Sequence, residues 1–275
     1  MQSRIFMVVC CAAAACACRA FGAEPIERTW KVAGSERRAL VALPGEGQAK
    51  AAPLVFVFHG HGGTMRGAAR QFAIERLWPE AVVVYPQGLP TPGRLTDPEG
   101  KRAGWQHGEG EQGNRDLAFF DAMFESLKAE GRVDLSRVYA TGHSNGGGFT
   151  YLLWAERGDV FAAVAPSGSA AAKSAGKLRP KPVMHIAGET DPLVKFAWQK
   201  ATMERLRKLN AVAGEGRPWG ESTTRYESKD GPPVVQYVHP GGHQFPCASL
   251  PKVVEFFKEH QNKSADVQAT SGKAG

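Results

Sequence analysis

Residues 139–149 read YATGHSNGGGF, and this stretch carries the strongest local signal in the chain. A single serine, Ser144, stands among glycines, directly after one apolar run and directly before another. Glycine loses more backbone freedom on folding than any other residue, so such a cluster requires a structural reason. We predict a tight turn from a strand into a helix, in which the glycines let the two elements approach and let the serine adopt a strained backbone.

Apolar runs and helical periodicities flank this turn along most of the chain. Strands are predicted at 28–34, 38–44, 53–60, 81–88, 133–142, 161–168, 182–189 and 233–242. Helices are predicted at 66–80, from Asp116 onward, and at 145–158, 196–210 and 250–260. The first two strands are expected to form an antiparallel hairpin, whereas the later ones lack alternation, as strands of a parallel sheet buried on both faces do. The pattern predicts an α/β protein with a mostly parallel central sheet and helices on both faces.

The two ends of the chain differ in composition from its body. Residues 1–23 combine an early arginine, a short apolar run and small residues, which is typical of a secretory signal peptide cleaved after Ala23. A membrane anchor and a lipid on Cys16 or Cys18 are the alternatives. We expect one domain over 24–261, with Cys247 as its single cysteine and therefore no internal disulfide, and a disordered tail over 262–275.

The 275-residue chain has a globular composition and a formal net charge of +7. Its basic residues are scattered and form no long run, whereas a nucleic-acid-binding surface normally shows a clustered basic patch or a recognised motif. The composition therefore favours a solvated basic surface and no nucleic-acid partner, and the apolar run near the N-terminus is too short to predict a stable membrane span.

The segment Gly142–Gly146 fits the pattern G-x-S-x-G, in which an exposed serine serves as a nucleophile between a strand and a helix of an α/β-hydrolase fold. A serine hydroxyl needs a base, and the base needs an orienting acid. The expected order along the chain is serine, acid, histidine. Asp191, at the end of a predicted strand, is the candidate acid; a helix-capping role is the alternative for Asp191, and Glu189 is the second candidate for the acid.

His243 is the candidate base because it follows the last predicted strand, in a glycine-flanked loop. His239 competes for this role, although its position before a proline at a strand end favours a structural one. Backbone amides that stabilise an oxyanion are expected from His61, in HGHGG after the third strand, and from Asn145, the residue after the serine. A phosphate-binding loop is the rival interpretation of HGHGG, but no GK[ST] sequence follows it.

The long loop 89–113 leaves the carboxyl end of a predicted strand and carries Trp105 and Gln106 between glycines. An aromatic ring and an amide are suited to line a substrate pocket. We therefore predict that Trp105 and Gln106 bind substrate. The alternative is that Trp105 only packs the loop onto the body of the domain.

Several segments together resemble the secreted α/β-hydrolases of the feruloyl esterase and polyhydroxybutyrate depolymerase-like group: PLVFVFHGHGGT, VVVYPQGL, GWQ, RDLAFFDAMFESL, VDLSRVYATGHSNGGGFTYLLWAE, FAAVAPSGS, HIAGETDPLV and GGHQFP. They span residues 53–246. The resemblance implies hydrolysis of small or polymer-linked carboxylic esters (feruloyl-type, acetyl or hydroxyalkanoate) by Ser144, Asp191 and His243, without a metal or cofactor. A serine peptidase of the same fold and an inactive hydrolase-like binding protein are the alternatives.

Overall fold

The computed structural model describes residues 24–45, 51–93 and 95–262. The strands are β1 (Ile26–Val32), β2 (Ser35–Ala42), β3 (Ala52–Phe58), β4 (Val82–Pro86), β5 (Leu89–Pro90), β6 (Ala103–Gly104), β7 (Val133–His143), β8 (Ala163–Ser167), β9 (Val183–Gly188), β10 (Arg217–Gly220), β11 (Thr223–Tyr226) and β12 (Val234–His239). The α-helices are α1 (Met65–Phe72), α2 (Ile74–Leu77), α3 (Arg115–Ala129), α4 (Asn145–Arg157), α5 (Phe196–Leu209) and α6 (Leu250–Lys258).

In the described part of the chain, ten strands form one sheet in the order β1-β2-β4-β3-β7-β8-β9-β12-β11-β10. The strands from β4 to β12 in this order pair in parallel, whereas both edges of the sheet are antiparallel. The prediction of a mostly parallel sheet that begins with an antiparallel hairpin is therefore confirmed.

The core lies on both faces of this sheet, because side chains of a strand alternate between the faces. From β3, Phe56 and Phe58 pack among residues of α3 and α4, whereas Val55 and Val57 pack among residues of α1 and α6. Every residue of β3 is buried, which explains why its sequence is apolar without alternation.

The structure departs from the predicted elements in several places. A short antiparallel pair, β5–β6, lies inside the loop predicted at 89–113. The helix predicted at 66–80 breaks at Ala73, which adopts a left-handed conformation (φ 41°), and the N–H of the next residue, Ile74, donates to the Tyr85 hydroxyl. A hairpin, β10–β11, closes one edge of the sheet where no strand was predicted. Its side chains are mostly exposed or half-buried, so no apolar pattern marks it.

The parallel strands bring their carboxyl ends to one edge of the sheet, where the sites of such folds lie. At this edge β3 leads into the segment 59–63, β7 leads directly to Ser144, β9 leads to Asp191 and β12 leads to His243.

Candidate active site

Ser144 occupies the turn between β7 and α4, as predicted from the glycine cluster. Its backbone is strained, with φ 56° and ψ −120°, a conformation that a residue with a side chain rarely adopts. The glycines around it permit the close crossing of chain segments. A Cβ atom on Gly146 would lie 2.2 Å from the Phe58 carbonyl oxygen, and one on Gly142 would lie 2.6 Å from the Gly146 carbonyl oxygen. No larger residue fits at either position without moving the backbone.

A hydrogen-bonded chain joins the serine to a histidine and a carboxylate. His243 Nε2 lies 2.7 Å from Ser144 Oγ, and His243 Nδ1 lies 2.7 Å from Asp191 Oδ2. An ionised carboxylate can only accept, so in the neutral ring Nδ1 carries the proton and Nε2 accepts from the serine hydroxyl. This arrangement makes Nε2 available to remove a proton from Ser144.

Asp191 is held in place by several donors and is buried, with 5% of its surface exposed. Its Oδ1 accepts from the backbone N–H groups of Leu193 and Val194, both at 2.9 Å, and its Oδ2 accepts from Gln199 Nε2 at 3.1 Å as well as from His243. Apart from His243, these donors lie before α5 or inside it, and the residue that caps α5 is Lys195, so Asp191 does not serve as a helix cap.

The residues that compete for the roles of acid and base, Glu189 and His239, lie outside the hydrogen-bonded array of Ser144, His243 and Asp191. Glu189 is exposed, and no hydrogen bond joins it to His243 in the described residues. His239 accepts from the N–H of Gly241 through Nδ1 at 3.1 Å, and its ring makes no hydrogen bond to Ser144 or Asp191 in the same part of the chain. The geometry thus brings together Ser144, Asp191 and His243, and leaves Glu189 and His239 outside.

His143, which the sequence analysis did not single out, ties the serine turn to the histidine loop. Its Nε2 donates to the His243 carbonyl oxygen at 2.6 Å, which leaves Nδ1 to accept from the Ser167 hydroxyl at 3.1 Å. Burial lowers the pKa of His143 to about 4, so the ring is neutral at physiological pH. Its position inside the G-x-S-x-G segment was the signal that could have drawn attention to it.

Two backbone amides lie beside Ser144. In the part of the chain that the structure describes, the N–H groups of His61 and Asn145 have no hydrogen-bond acceptor, and both residues line the same cavity as Ser144. The His61 ring is fixed through its Nε2, which lies 3.0 Å from Asp97 Oδ2. Unpaired backbone donors that line the same cavity as a nucleophile are groups that can stabilise a developing oxyanion.

The cavity above Ser144 has a volume of about 370 Å³. Apart from its histidines, its described lining contains no ionisable side chain. Its lining includes three exposed hydrophobic residues: Leu95 (58% exposed), Leu193 (38%) and Trp198 (48%). Trp198, in the first turn of α5, was not predicted as a site residue, although α5 leaves the same edge of the sheet as Asp191.

The prediction that Trp105 and Gln106 line the substrate pocket is wrong. Both side chains are fully buried, with 0% exposure, and neither borders the cavity. The indole of Trp105 packs between Phe58 and Phe149, and the Gln106 amide bonds to Gly108, Asn114 and the start of α3. The alternative, that Trp105 packs the loop onto the domain, is correct because the loop folds back under the site.

Comparison with known proteins identifies the group to which this chain belongs. The chain is 31% identical to a probable feruloyl esterase C of Aspergillus clavatus over 196 residues, which cover 69% of each protein. It is 30% identical to feruloyl esterase D of Neurospora crassa, covering 78% of this chain and 76% of the relative. The chain belongs to the feruloyl esterase family. This membership makes it a carboxylic ester hydrolase.

Solved structures support the fold of this feruloyl esterase family member. An acetyl xylan esterase from Aspergillus awamori superposes with a TM-score of 0.64 at 14% identity, covering 85% of this chain and 99% of the other. A ferulic acid esterase superposes with a TM-score of 0.61 at 15% identity, covering 86% and 98%. The profile of the prolyl oligopeptidase family also matches residues 99–172. The fold is that of the α/β-hydrolases, as predicted.

Proposed function

We propose that the protein is a serine esterase in which Ser144, His243 and Asp191 form the catalytic triad. The observation that carries this proposal is the pair of 2.7 Å contacts through the two nitrogens of one imidazole ring, centred on a serine with a strained backbone. Order along the chain and geometry agree with the roles of nucleophile, base and orienting acid.

The reaction begins when Ser144 Oγ attacks the ester carbonyl carbon and His243 Nε2 takes its proton. Asp191 holds the ring in the required tautomer and stabilises the imidazolium that forms. The tetrahedral intermediate places its oxygen against the N–H groups of His61 and Asn145. His243 then returns the proton to the leaving alcohol. Water, activated by the same ring, cleaves the acyl-enzyme and releases the acid.

The cavity favours a neutral, apolar acyl group, because its described lining offers aliphatic and aromatic surface and, apart from histidines, no ionisable side chain to pair with a charged substrate. The exposed part of this apolar surface is formed by Trp198, Leu193 and Leu95. We infer that aromatic acyl esters of the feruloyl type are preferred over acetyl esters, with hydroxyalkanoate esters as the further class. Initial rates on matched feruloyl, acetyl and 3-hydroxybutyrate esters test this order.

The roles of the two histidines are tested by paired substitutions. His243→Ala should abolish ester turnover, whereas His239→Ala, which removes a histidine from the same loop region, should leave kcat within about twofold of the parent. Circular dichroism and the melting temperature check that both variants fold. The assignment is wrong if His239→Ala removes the activity and His243→Ala retains it.

A serine peptidase is the second candidate, favoured by the match of residues 99–172 to the prolyl oligopeptidase family. The same triad cleaves amides, so the two candidates differ in leaving group. Paired p-nitrophenyl ester and p-nitroanilide substrates with one common acyl group separate them. The esterase proposal expects hydrolysis of the ester with little cleavage of the anilide, and faster anilide cleavage would favour the peptidase.

Secretion belongs to the same proposal. Residues 1–23, which carry the predicted signal peptide, lie outside the described residues, as do 263–275 of the predicted tail. No helix within residues 24–45, 51–93 and 95–262 is long and apolar enough to cross a bilayer. We propose that the mature chain begins at Glu24 and is exported. Intact-mass analysis of the exported protein tests this, and a chain that begins at Met1 or carries a lipid would contradict it.

A further inference from the structure

Trp105 connects the two chain segments that carry the proposed oxyanion amides. Its backbone N–H donates to Asn145 Oδ1 at 2.7 Å, and its carbonyl oxygen accepts from Asn145 Nδ2 at 3.0 Å. Its indole Nε1 donates to the His59 carbonyl oxygen at 2.9 Å. One buried residue is therefore bonded both to the residue after Ser144 and to the segment that holds His61.

The packing around Trp105 leaves little freedom for these bonds to shift. The indole stacks on Phe149 of α4, with ring centroids 5.3 Å apart, and meets Phe58 of β3 edge-on at 5.2 Å. The neighbouring Gly104 lies against both oxyanion segments. A Cβ atom there would lie 2.7 Å from His61 Nδ1 and 2.9 Å from Asn145 Oδ1. The backbone of the loop at Gly104 therefore packs between the His61 and Asn145 segments in van der Waals contact.

We propose that Trp105 is a positioning residue for ester hydrolysis: together with the Asn145 side chain and the His59 carbonyl group it forms an oxyanion clasp that sets the distance between the amides of His61 and Asn145. The proposal rests on the proposed function, which assigns those amides to the oxyanion. Fixed donors stabilise a transition state because they need no reorganisation during the reaction. A misplacement of about 1 Å in such a site can cost about 100-fold in rate.

The first test replaces Trp105 by phenylalanine, which keeps an aromatic ring but removes the indole donor. The chain offers a matched control in Trp154, a buried tryptophan whose Nε1 donates to the Arg179 carbonyl oxygen at 3.0 Å away from the site. We expect Trp105→Phe to lower kcat by about 10- to 100-fold, with KM within about twofold, because donor placement acts on the transition state. Trp154→Phe should lower the melting temperature to a similar extent while kcat stays within about twofold. Equal kcat values for the two variants would overturn the proposal.

The second test removes the Asn145 side chain, again with a matched control. Asn210 makes the same reciprocal pair with a backbone elsewhere, accepting from the Lys181 N–H at 3.2 Å and donating to the Lys181 carbonyl oxygen at 2.8 Å. Asn145→Ala should lower kcat as Trp105→Phe does, and Asn210→Ala should not. The double variant Trp105→Phe/Asn145→Ala should lose less than the product of the two single losses, because both act through one clasp. Fully multiplicative losses would contradict a shared clasp.

Two further measurements separate positioning of the oxyanion from damage to the triad. The apparent pKa in the pH profile of kcat/KM should be unchanged in Trp105→Phe, because His243 and Asp191 are untouched. An aryl boronic acid, which forms a tetrahedral adduct with a serine hydroxyl, should bind more weakly in proportion to the loss of kcat/KM. Unchanged inhibition alongside reduced turnover would overturn the proposal. The proposed function itself would fail if Ser144→Ala retained full activity. Equal kcat values for Trp105→Phe and Trp154→Phe would instead overturn only the positioning role of Trp105.

Discussion

Substitution of Asp191 by asparagine tests how the site sets the histidine tautomer. The side chain would keep its shape, but one oxygen would become an NH₂ group. The backbone N–H groups of Leu193 and Val194 both donate to Oδ1 at 2.9 Å, so the remaining amide oxygen is drawn to that side. The NH₂ group then faces His243 Nδ1 and donates to it. The ring proton is forced onto Nε2, which can no longer accept from Ser144.

The size of the effect follows from the cost of the opposite orientation. To restore the productive tautomer, the amide must turn its NH₂ group toward the two backbone donors and leave both unpaired in a buried position, while Gln199 Nε2 regains the acceptor that it loses in the other orientation. Each unsatisfied buried donor costs about 1–3 kcal/mol, so the net difference of one donor places the productive arrangement about 1–3 kcal/mol higher. At about 1.36 kcal/mol per factor of ten, this predicts a loss of about 5- to 160-fold in kcat.

Steady-state kinetics on an aryl ester measure this loss, with Glu189→Gln as the matched control at the neighbouring exposed carboxylate. We expect Asp191→Asn to fold, to retain a KM within a few-fold of the parent and to lose kcat by the amount above, while Glu189→Gln stays within about twofold. A loss below about threefold in Asp191→Asn, or a comparable loss in Glu189→Gln, would refute the tautomer argument.

Two further predictions concern specificity and stability. Trp198→Ala should lower kcat/KM for a feruloyl-type ester by about 3- to 10-fold, as expected for one aromatic contact, and leave an acetyl ester nearly unaffected; equal losses on both esters would contradict a substrate-contacting role. His185 lies in β9 and is buried. Burial lowers the pKa values of both His143 and His185 to about 4, from ordinary values of 6.5. Between these two pH values the unfolded chain binds more protons than the folded one, so stability must fall as the pH falls. The melting temperature should therefore decrease from pH 6.5 to pH 5, above the range in which carboxylates protonate, and His185→Gln should flatten this decrease; a melting temperature independent of pH over this interval would contradict the assignment.

Much of the fold could be predicted from the sequence because its strongest features are local. The apolar run at 53–60 marks a strand buried on both faces, and the glycines around Ser144 mark a crossing that admits no side chain. Three candidate site residues each follow a predicted strand and occur in the expected order: Ser144, Asp191 and His243. The fold brings their side chains into contact.

The parts that could not be predicted depend on contacts between distant segments. Trp105 was expected at the cavity because it lies in a long glycine-rich loop, but that loop folds inward and its indole reaches the His59 carbonyl group, 46 residues away. Trp198 was missed because a tryptophan in an amphipathic helix is normally part of the core, whereas this side chain is exposed and lines the cavity. The hairpin β10–β11 escaped prediction because an exposed edge pair has no apolar periodicity.

Covalent labelling of Ser144 tests the central claim most directly. A fluorophosphonate probe is incubated with the purified protein, with Ser144→Ala and with His243→Ala, and the labelled peptide is located by mass spectrometry. The account predicts a single adduct on the peptide that contains Ser144, formed together with loss of ester hydrolysis, strongly slowed in His243→Ala and absent in a folded Ser144→Ala variant. An adduct on another residue, or continued ester hydrolysis by Ser144→Ala, would contradict it.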